Sequence, residues 1–230
     1  MSDGHSDEEA KRRAGRAALE LLPESGVVGL GTGSTTRFFI EGVGELVRAG
    51  RRLTGVPTSQ QSRALASELG IPLLPDTGPW QIDICVDGAD EVSDALDLIK
   101  GGGAAHTREK IVNFASKQNV IIVDASKLSQ RLGEKRAIPI EVLVFAHLTT
   151  RKALEAFGQP TLRLRDGAPV ITDSGNYIYD LLVTPLTNPS AADSALKHVP
   201  GVVETGLFCG RADRVIVAEA QGIRQLLRQS

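Results

Sequence analysis

Lys100 and Glu109 lie on either side of three consecutive glycines, Gly101, Gly102 and Gly103, and this grouping is the chain's first chemical signature. Glycines in a row cost conformational entropy to order, so they mark backbone that turns sharply or comes close to a ligand. Thr107 to Phe114 has the pattern of a helix opening. That puts Glu109 in a first turn, where the positive end of the helix dipole favours a carboxylate. A fixed cation and a carboxylate flanking one glycine-lined pocket are the equipment for moving a proton beside a carbonyl. The bland alternative is a glycine turn with a surface lysine and an ordinary first-turn glutamate.

Gly29-Leu30-Gly31-Thr32-Gly33-Ser34-Thr35-Thr36 stands between a strand pattern and a helix pattern. Backbone N–H groups at a helix start, together with hydroxyls, make a phosphate site. A nucleoside-triphosphate loop needs Gly-Lys-Ser/Thr at its end, and no lysine is there. A dinucleotide loop wants a third glycine near Ser34 and an acid after the next strand, which instead runs into Val56-Pro57-Thr58-Ser59. A phosphate monoester on a small molecule fits better, with a capped tight turn as the plain alternative. Asp87 and Asp90 end a strand pattern, where open α/β sheets place ligands. Glu91, Asp94 and Asp97 follow, but their spacing is not that of a calcium loop and no histidine joins them. Sugar-hydroxyl binding and proton transfer suit these carboxylates better than a metal, with a solvated acidic loop as the plain alternative. Lys127 follows the next strand in Asp124-Ala125-Ser126-Lys127 and is placed to reach the same rim. Ser34 has no neighbouring base and no elbow sequence, which sets serine hydrolysis aside.

The elements that must carry these groups alternate. A helix opens at Ser6 and Glu9, spaced as a capping box, and runs to about Leu22. The strand Val27–Leu30, a helix over 35–49, the strand Leu53–Val56 and a helix capped by Thr58 or Ser59 and closed at Gly70 come next. Ile82–Val86, the Thr107 helix and Val120–Val123 complete the run. This alternation predicts an α/β fold: a parallel sheet covered by helices on both faces. Near Gly133 the rhythm changes to short strands at 138–144, 161–165, 169–172, 177–183 and 202–205, with helices at 148–157 and 190–198. Val215–Ala218 reads as a return to the first sheet. The expected division is therefore 1–132 with 208–230 as the main domain and 133–207 as an inserted small α+β domain.

Formal net charge is −2 over 230 residues, so no global field recruits nucleic acid or an anionic membrane. No apolar stretch is long enough to span a bilayer. The two cysteines lack redox or metal spacing, and the N-terminal residues carry no signal-like apolar core. These features point to a cytoplasmic protein with buried, reduced thiols.

Gly31–Thr35, Val86–Glu91 and Lys100–Lys110 resemble the three signature segments of ribose-5-phosphate isomerase type A. Asp124–Lys127, Thr172–Asn176 and Gly201–Phe208 match as well, so the resemblance runs from about Lys11 to Ala218. It implies a Rossmann-like open parallel sheet with a small α+β domain inserted late in the chain. It also implies a metal-independent, cofactor-free isomerase acting on a small-molecule pentose phosphate as a homodimer or homotetramer. By matching motif, Glu109 is the base. Asp87, Asp90 and Lys100 bind and polarise the sugar, with Gly88, Ala89, Gly101, Gly102 and Gly103 around them. Thr32, Gly33, Ser34, Thr35 and Lys127 belong to the substrate site, and Lys11 lies where some relatives place a phosphate-contacting lysine. Lys100 and N–H groups of the glycine run are suited to stabilising an enediolate. His106 departs from a position often apolar in the family. A sugar-phosphate sensor of similar architecture is the alternative in a different class.

Overall fold

A computed structural model of the protein describes residues 3–220 and 222–229, with side chains from Glu8 onward. The chain forms two compact units: Met1–Gly88 with Arg108–Lys127 and Arg211–Ser230, and Ala89–Thr107 with Leu128–Gly210.

The first unit is built on a six-stranded sheet in the order Gly222–Leu227, Arg214–Glu219, Asn119–Asp124, Ile84–Asp87, Ser25–Leu30, Arg52–Pro57. The five strands from Arg214–Glu219 to Arg52–Pro57 are parallel, and Gly222–Leu227 is an antiparallel edge. The inner strands are apolar on both faces, as sheets covered on both sides require. Val28, Leu30, Ile84, Val86, Val120 and Ile122 point into one core, with Ala14 and Ala18 of the helix Asp3–Leu19 and Phe39, Ile40 and Val43 of the helix Ser34–Arg48. Cys85 and Val56 face the other way and pack with Val112 of the helix His106–Phe114. Small residues set how closely the layers approach. A Cβ on Gly15 would lie 2.9 Å from the Phe39 backbone nitrogen, and one on Gly29 would lie 2.9 Å from both Cys85 Sγ and Val112 Cγ1.

The first helix starts at Asp3, ahead of the Ser6–Glu9 pair expected to open it; the Ser6 side chain lies outside the described residues. Of the two cap candidates for the helix Gln60–Glu68, Ser59 does the work, its hydroxyl accepting from Ser62 N at 3.1 Å. Gly70 closes that helix with φ +72. The edge strand Gly222–Leu227 has no counterpart in the sequence reading. It is largely exposed, so it lacks the apolar pattern that marks the inner strands.

The second unit contains an antiparallel sheet in the order Val202–Thr205, Ile138–Val142, Tyr177–Leu182, Gln159–Leu162. Its core gathers Ile138, Ile140, Tyr179, Leu181, Leu154 and Leu196, the last two from the helices His147–Leu154 and Pro189–Lys197. Thr172 to Asn176 forms the turn into Tyr177–Leu182, closed by Thr172 N on Asn176 O and Gly175 N on Thr172 O, both at 2.9 Å. A three-stranded ribbon joins Leu207–Phe208, Leu98–Ile99 and Glu91–Val92. This ribbon makes 89–107 compact with 128–210, so the compact units divide the chain at points other than 133 and 207. No helix among the described residues is long and apolar enough to cross a membrane.

Candidate active site

The central pair of strands sets the location. After Ser25–Leu30 the chain crosses to Arg52–Pro57 on one side, and after Ile84–Asp87 it crosses to Asn119–Asp124 on the other. The carboxyl ends of two such strands form the crevice where open α/β sheets bind ligands. Here the crevice holds the 31–34 loop and Asp87. Gly31 N donates to Val86 O at 3.0 Å, Thr32 N to Asp87 Oδ1 at 3.0 Å and Gly88 N to the same oxygen at 2.7 Å. Asp87 is buried. The loop can pass over it only because residue 31 is glycine: a Cβ there would lie 2.2 Å from Asp87 Oδ1. Behind the loop, Thr32 Oγ1 shares hydrogen bonds with the hydroxyls of Thr58, Ser59 and Ser62, at 2.8, 2.8 and 3.2 Å. Ser62 Oγ donates to Gly31 O at 2.6 Å. This hydroxyl cluster escaped the sequence reading, because residues 58–62 meet the loop only across the sheet.

The following helix begins at Ser34, one residue before the expected start, after Gly33 with φ 124. No side chain caps it. The N–H groups of Ser34, Thr35 and Thr36 therefore open the helix without the usual hydroxyl or carboxylate acceptor, which leaves an anion-binding geometry. Thr36 adds a buried hydroxyl with no hydrogen-bond partner among the described residues. A cleft of about 650 Å³ lies against this helix start, lined by Lys11, Gly31, Gly33, Ser34, Arg37 and Ser62 among others. Lys11 thus reaches the same cleft as the 31–34 loop from a different helix. Arg37 was not foreseen. It sits one helical turn beyond Gly33, a spacing that could have flagged it, and it pairs with Glu8 at 3.3 Å and Glu41 at 3.5 Å. Lys127 ends a short turn, Ala125–Lys127, directly after Asn119–Asp124, the strand beside Ile84–Asp87.

Glu109 is buried in the first turn of His106–Phe114. The helix opens one residue earlier than the sequence suggests, and His106, fully buried, has Nε2 at 3.4 Å from the Glu204 carbonyl. Lys11, Thr32, Gly33, Ser34, Thr35, Asp87, Gly88, Glu109 and Lys127 all belong to the first unit.

Ala89, Asp90 and Lys100 to Gly103 belong to the second. Lys100 is buried, with its N–H on Gly206 O at 2.9 Å and Nζ 5.5 Å from the Phe208 ring centroid. Gly102 N donates to Asp90 Oδ2 at 2.7 Å, and a Cβ on Gly102 would stand 2.6 Å from Asp90 Oδ1. Gly101 has φ +113 and packs against the His106 ring, where a Cβ would come within 2.7 Å of Nδ1. The glycine run is thus a close-approach device for a carboxylate and a ring. Glu91 proves to be an internal anchor: its carboxylate accepts the N–H groups of Gly133, Glu134, Lys135 and Arg136 at 3.1 to 3.2 Å.

The family model for ribose 5-phosphate isomerase A (phosphoriboisomerase A) matches residues 54–222. The chain belongs to the ribose 5-phosphate isomerase A family. It is 45% identical over 225 residues to the ribose-5-phosphate isomerase A of Thermosynechococcus vestitus, covering 95% of this chain and 94% of that one. The solved ribose 5-phosphate isomerase A of Methanocaldococcus jannaschii superposes with a TM-score of 0.91 at 39% identity, over 96% of this chain and 99% of that one. A D-ribose-5-phosphate isomerase solved in complex with phospho-erythronic acid gives 0.93 at 41% identity, over 96% and 99%. Family membership and the α/β architecture therefore agree with the resemblance carried by the motifs.

Proposed function

We propose that this chain interconverts ribose 5-phosphate and ribulose 5-phosphate through an enediolate, as an aldose–ketose isomerase. The observation that carries the reading is end-to-end identity of 45% with a protein named for that activity. A relative solved with a phosphorylated four-carbon acid supports a sugar-phosphate ligand. The reported relatives all carry the isomerase name, which favours turnover over non-catalytic sensing.

Sugar phosphates are mostly cyclic, so Asp87 first assists ring opening by proton transfer at the ring oxygen. Glu109 then takes the proton from C2 of the open aldose, and the electron pair moves onto the carbonyl oxygen. Lys100 and N–H groups of Gly101 to Gly103 offset the charge that develops there. The hydroxyl proton on O2 passes to O1, and as the O2 electron pair forms the carbonyl at C2, Glu109 returns its proton to C1, giving the ketose. Asp90, Gly88 and Ala89 contribute to holding the sugar. The phosphate is assigned to Thr32–Thr35, supported by the uncapped helix start, the buried Thr36 hydroxyl and Lys11 on the same cleft. Lys127 is assigned to the same substrate. Binding a group remote from C1 and C2 supplies orientation for the step there. No metal and no cofactor enter this chemistry.

We place the protein in the cytoplasm as a homodimer or homotetramer. Support for self-association comes from a run with large apolar side chains in solvent: Leu143, Val144, Phe145 and Leu148, with Phe145 88% exposed. The reading is tested by incubating the protein with ribose 5-phosphate in a chelator and following ketose formation. Absence of ketose would refute it.

A further inference from the structure

We propose that Arg163 is a positioning residue for the isomerisation: it holds the glycine run so that its N–H groups, that of Gly103 above all, are turned to meet a developing oxyanion. This rests on the isomerase reading. Arg163 follows the strand Gln159–Leu162, and its side chain is 16% exposed. Asp180 on Tyr177–Leu182 locks the guanidinium in a two-pronged pair, with Nε on Oδ2 at 2.9 Å and Nη2 on Oδ1. The remaining nitrogen, Nη1, donates to Gly101 O at 2.6 Å and approaches Gly102 O at 3.4 Å.

The consequence follows from peptide geometry. Cis bonds are confined to Gly78-Pro79 among the described residues, so the Gly101-Gly102 and Gly102-Gly103 peptides are trans. In a trans peptide the N–H points away from the preceding carbonyl. One cation drawing both carbonyls therefore turns the N–H groups of Gly102 and Gly103 to the opposite side. The Gly102 N–H meets Asp90 Oδ2 there, at 2.7 Å. The Gly103 N–H, on an exposed glycine, is turned away from Arg163 in the same sense. Glycine peptides have little intrinsic preference between these orientations and their flips. The Ala104 N–H donates to Gly101 O at 3.0 Å and closes a turn across the run, and a guanidinium held by its own carboxylate is rigid enough to keep that turn in one sense. A donor oriented beforehand needs no reorganisation when charge builds on the substrate oxygen.

The test compares the full-length wild type with R163M, R163K and D180N by steady-state kinetics on ribose 5-phosphate. It also measures amide hydrogen exchange at Gly102 in ¹⁵N-glycine-labelled protein. R163M is expected to lower kcat about 10- to 100-fold, less than the roughly 10²–10³ lost with an oxyanion donor itself. KM should stay within about threefold, and the Gly102 amide, which Asp90 protects, should exchange faster. R163K, which keeps the charge without the fork, should fall between wild type and R163M, and it carries the comparison should R163M not fold. D180N should share the direction with a smaller effect. An unchanged kcat, an unchanged exchange rate at Gly102, or a loss confined to KM would overturn the proposal. A wild type that does not turn over ribose 5-phosphate would refute the isomerase reading instead. The Gly102 exchange rate alone would then decide the clamp, faster in R163M upholding it and unchanged overturning it.

Discussion

Asp87 takes two backbone N–H groups on one carboxylate oxygen, and this main-chain grip fixes the direction of that oxygen. Asp87→Asn keeps one acceptor oxygen and nearly the same shape while removing the negative charge. It should leave the melting temperature within a few degrees and lower kcat strongly, as steady-state kinetics beside a thermal melt would show. Gly31→Ala should do the reverse of a quiet change. Its Cβ would intrude to 2.2 Å on Asp87 Oδ1, so loop and carboxylate cannot both stay where they are. Glu109→Gln keeps volume and removes the carboxylate proposed as the base. Its kcat should drop about 10²- to 10⁴-fold, the usual share of general-base catalysis, with a much smaller change in substrate binding. In deuterated water the wild type should exchange solvent deuterium into C1 of ribulose 5-phosphate, and Glu109→Gln should nearly abolish this. Exchange at the wild-type rate would transfer the role to another residue. Residue types and spacing made these groups visible: glycines, acids and a lysine have few reasons to cluster. The hydroxyls of Thr58 and Ser62 and the guanidinium of Arg163 stayed invisible, since their meaning comes from partners 26 to 62 positions away.

Elements are held at their ends as much as at their faces. Asp83, just before Ile84–Asp87, accepts Val27 N at 2.9 Å and Lys117 Nζ at 2.8 Å, tying the neighbouring strand to the segment after the helix His106–Phe114. The Lys117 hydrogen bond, then the Val27 N–H, hold its carboxyl below the ordinary 3.8, against an opposing push from burial. A carboxyl with a lowered value in the fold stabilises the fold once ionised. That contribution is present above about 3.8 and is lost as pH falls through the lower, folded value. Asp83→Asn should therefore melt slightly below the wild type at neutral pH, with the gap closing below pH 3.8, as melts across pH 2 to 7 would show. A gap that persists at pH 2 would assign the effect to shape rather than charge. Element type was legible wherever apolar periodicity was strong, as in Asn119–Asp124 or Ser34–Arg48. Ends shifted by one to three residues, because caps such as Gly33 act through backbone angles that residue type only suggests.

For the whole molecule, exposed apolar side chains at 143–148 are the feature a monomer has least use for. Phe145→Asp should move the protein to a smaller species by light scattering without altering the fold by circular dichroism. An unchanged mass would remove this run from the interface. Isomerase activity should survive exhaustive chelation, with no gain from added divalent cations. Activity lost to a chelator and restored by a metal would overturn the metal-free mechanism.

Sequence alone determined the α/β class, the carboxyl-edge placement of Asp87 and the helix-start position of Glu109. Each follows from local rules: alternation of strand and helix, acids after a short apolar run, a polar first turn. Tertiary structure decided the rest. It chose Ser59 over Thr58 as a cap, brought Lys11 into the cleft beside Ser34, and turned Glu91 from a candidate ligand group into an anchor for residues 133–136. It also added the edge strand Gly222–Leu227 and drew 89–107 into the unit of 128–210. These outcomes depend on which distant backbone groups need hydrogen-bond partners once the chain is compact. Local sequence carries apolar period and turn preference, but it does not record which distant carbonyl or amide a given side chain will meet.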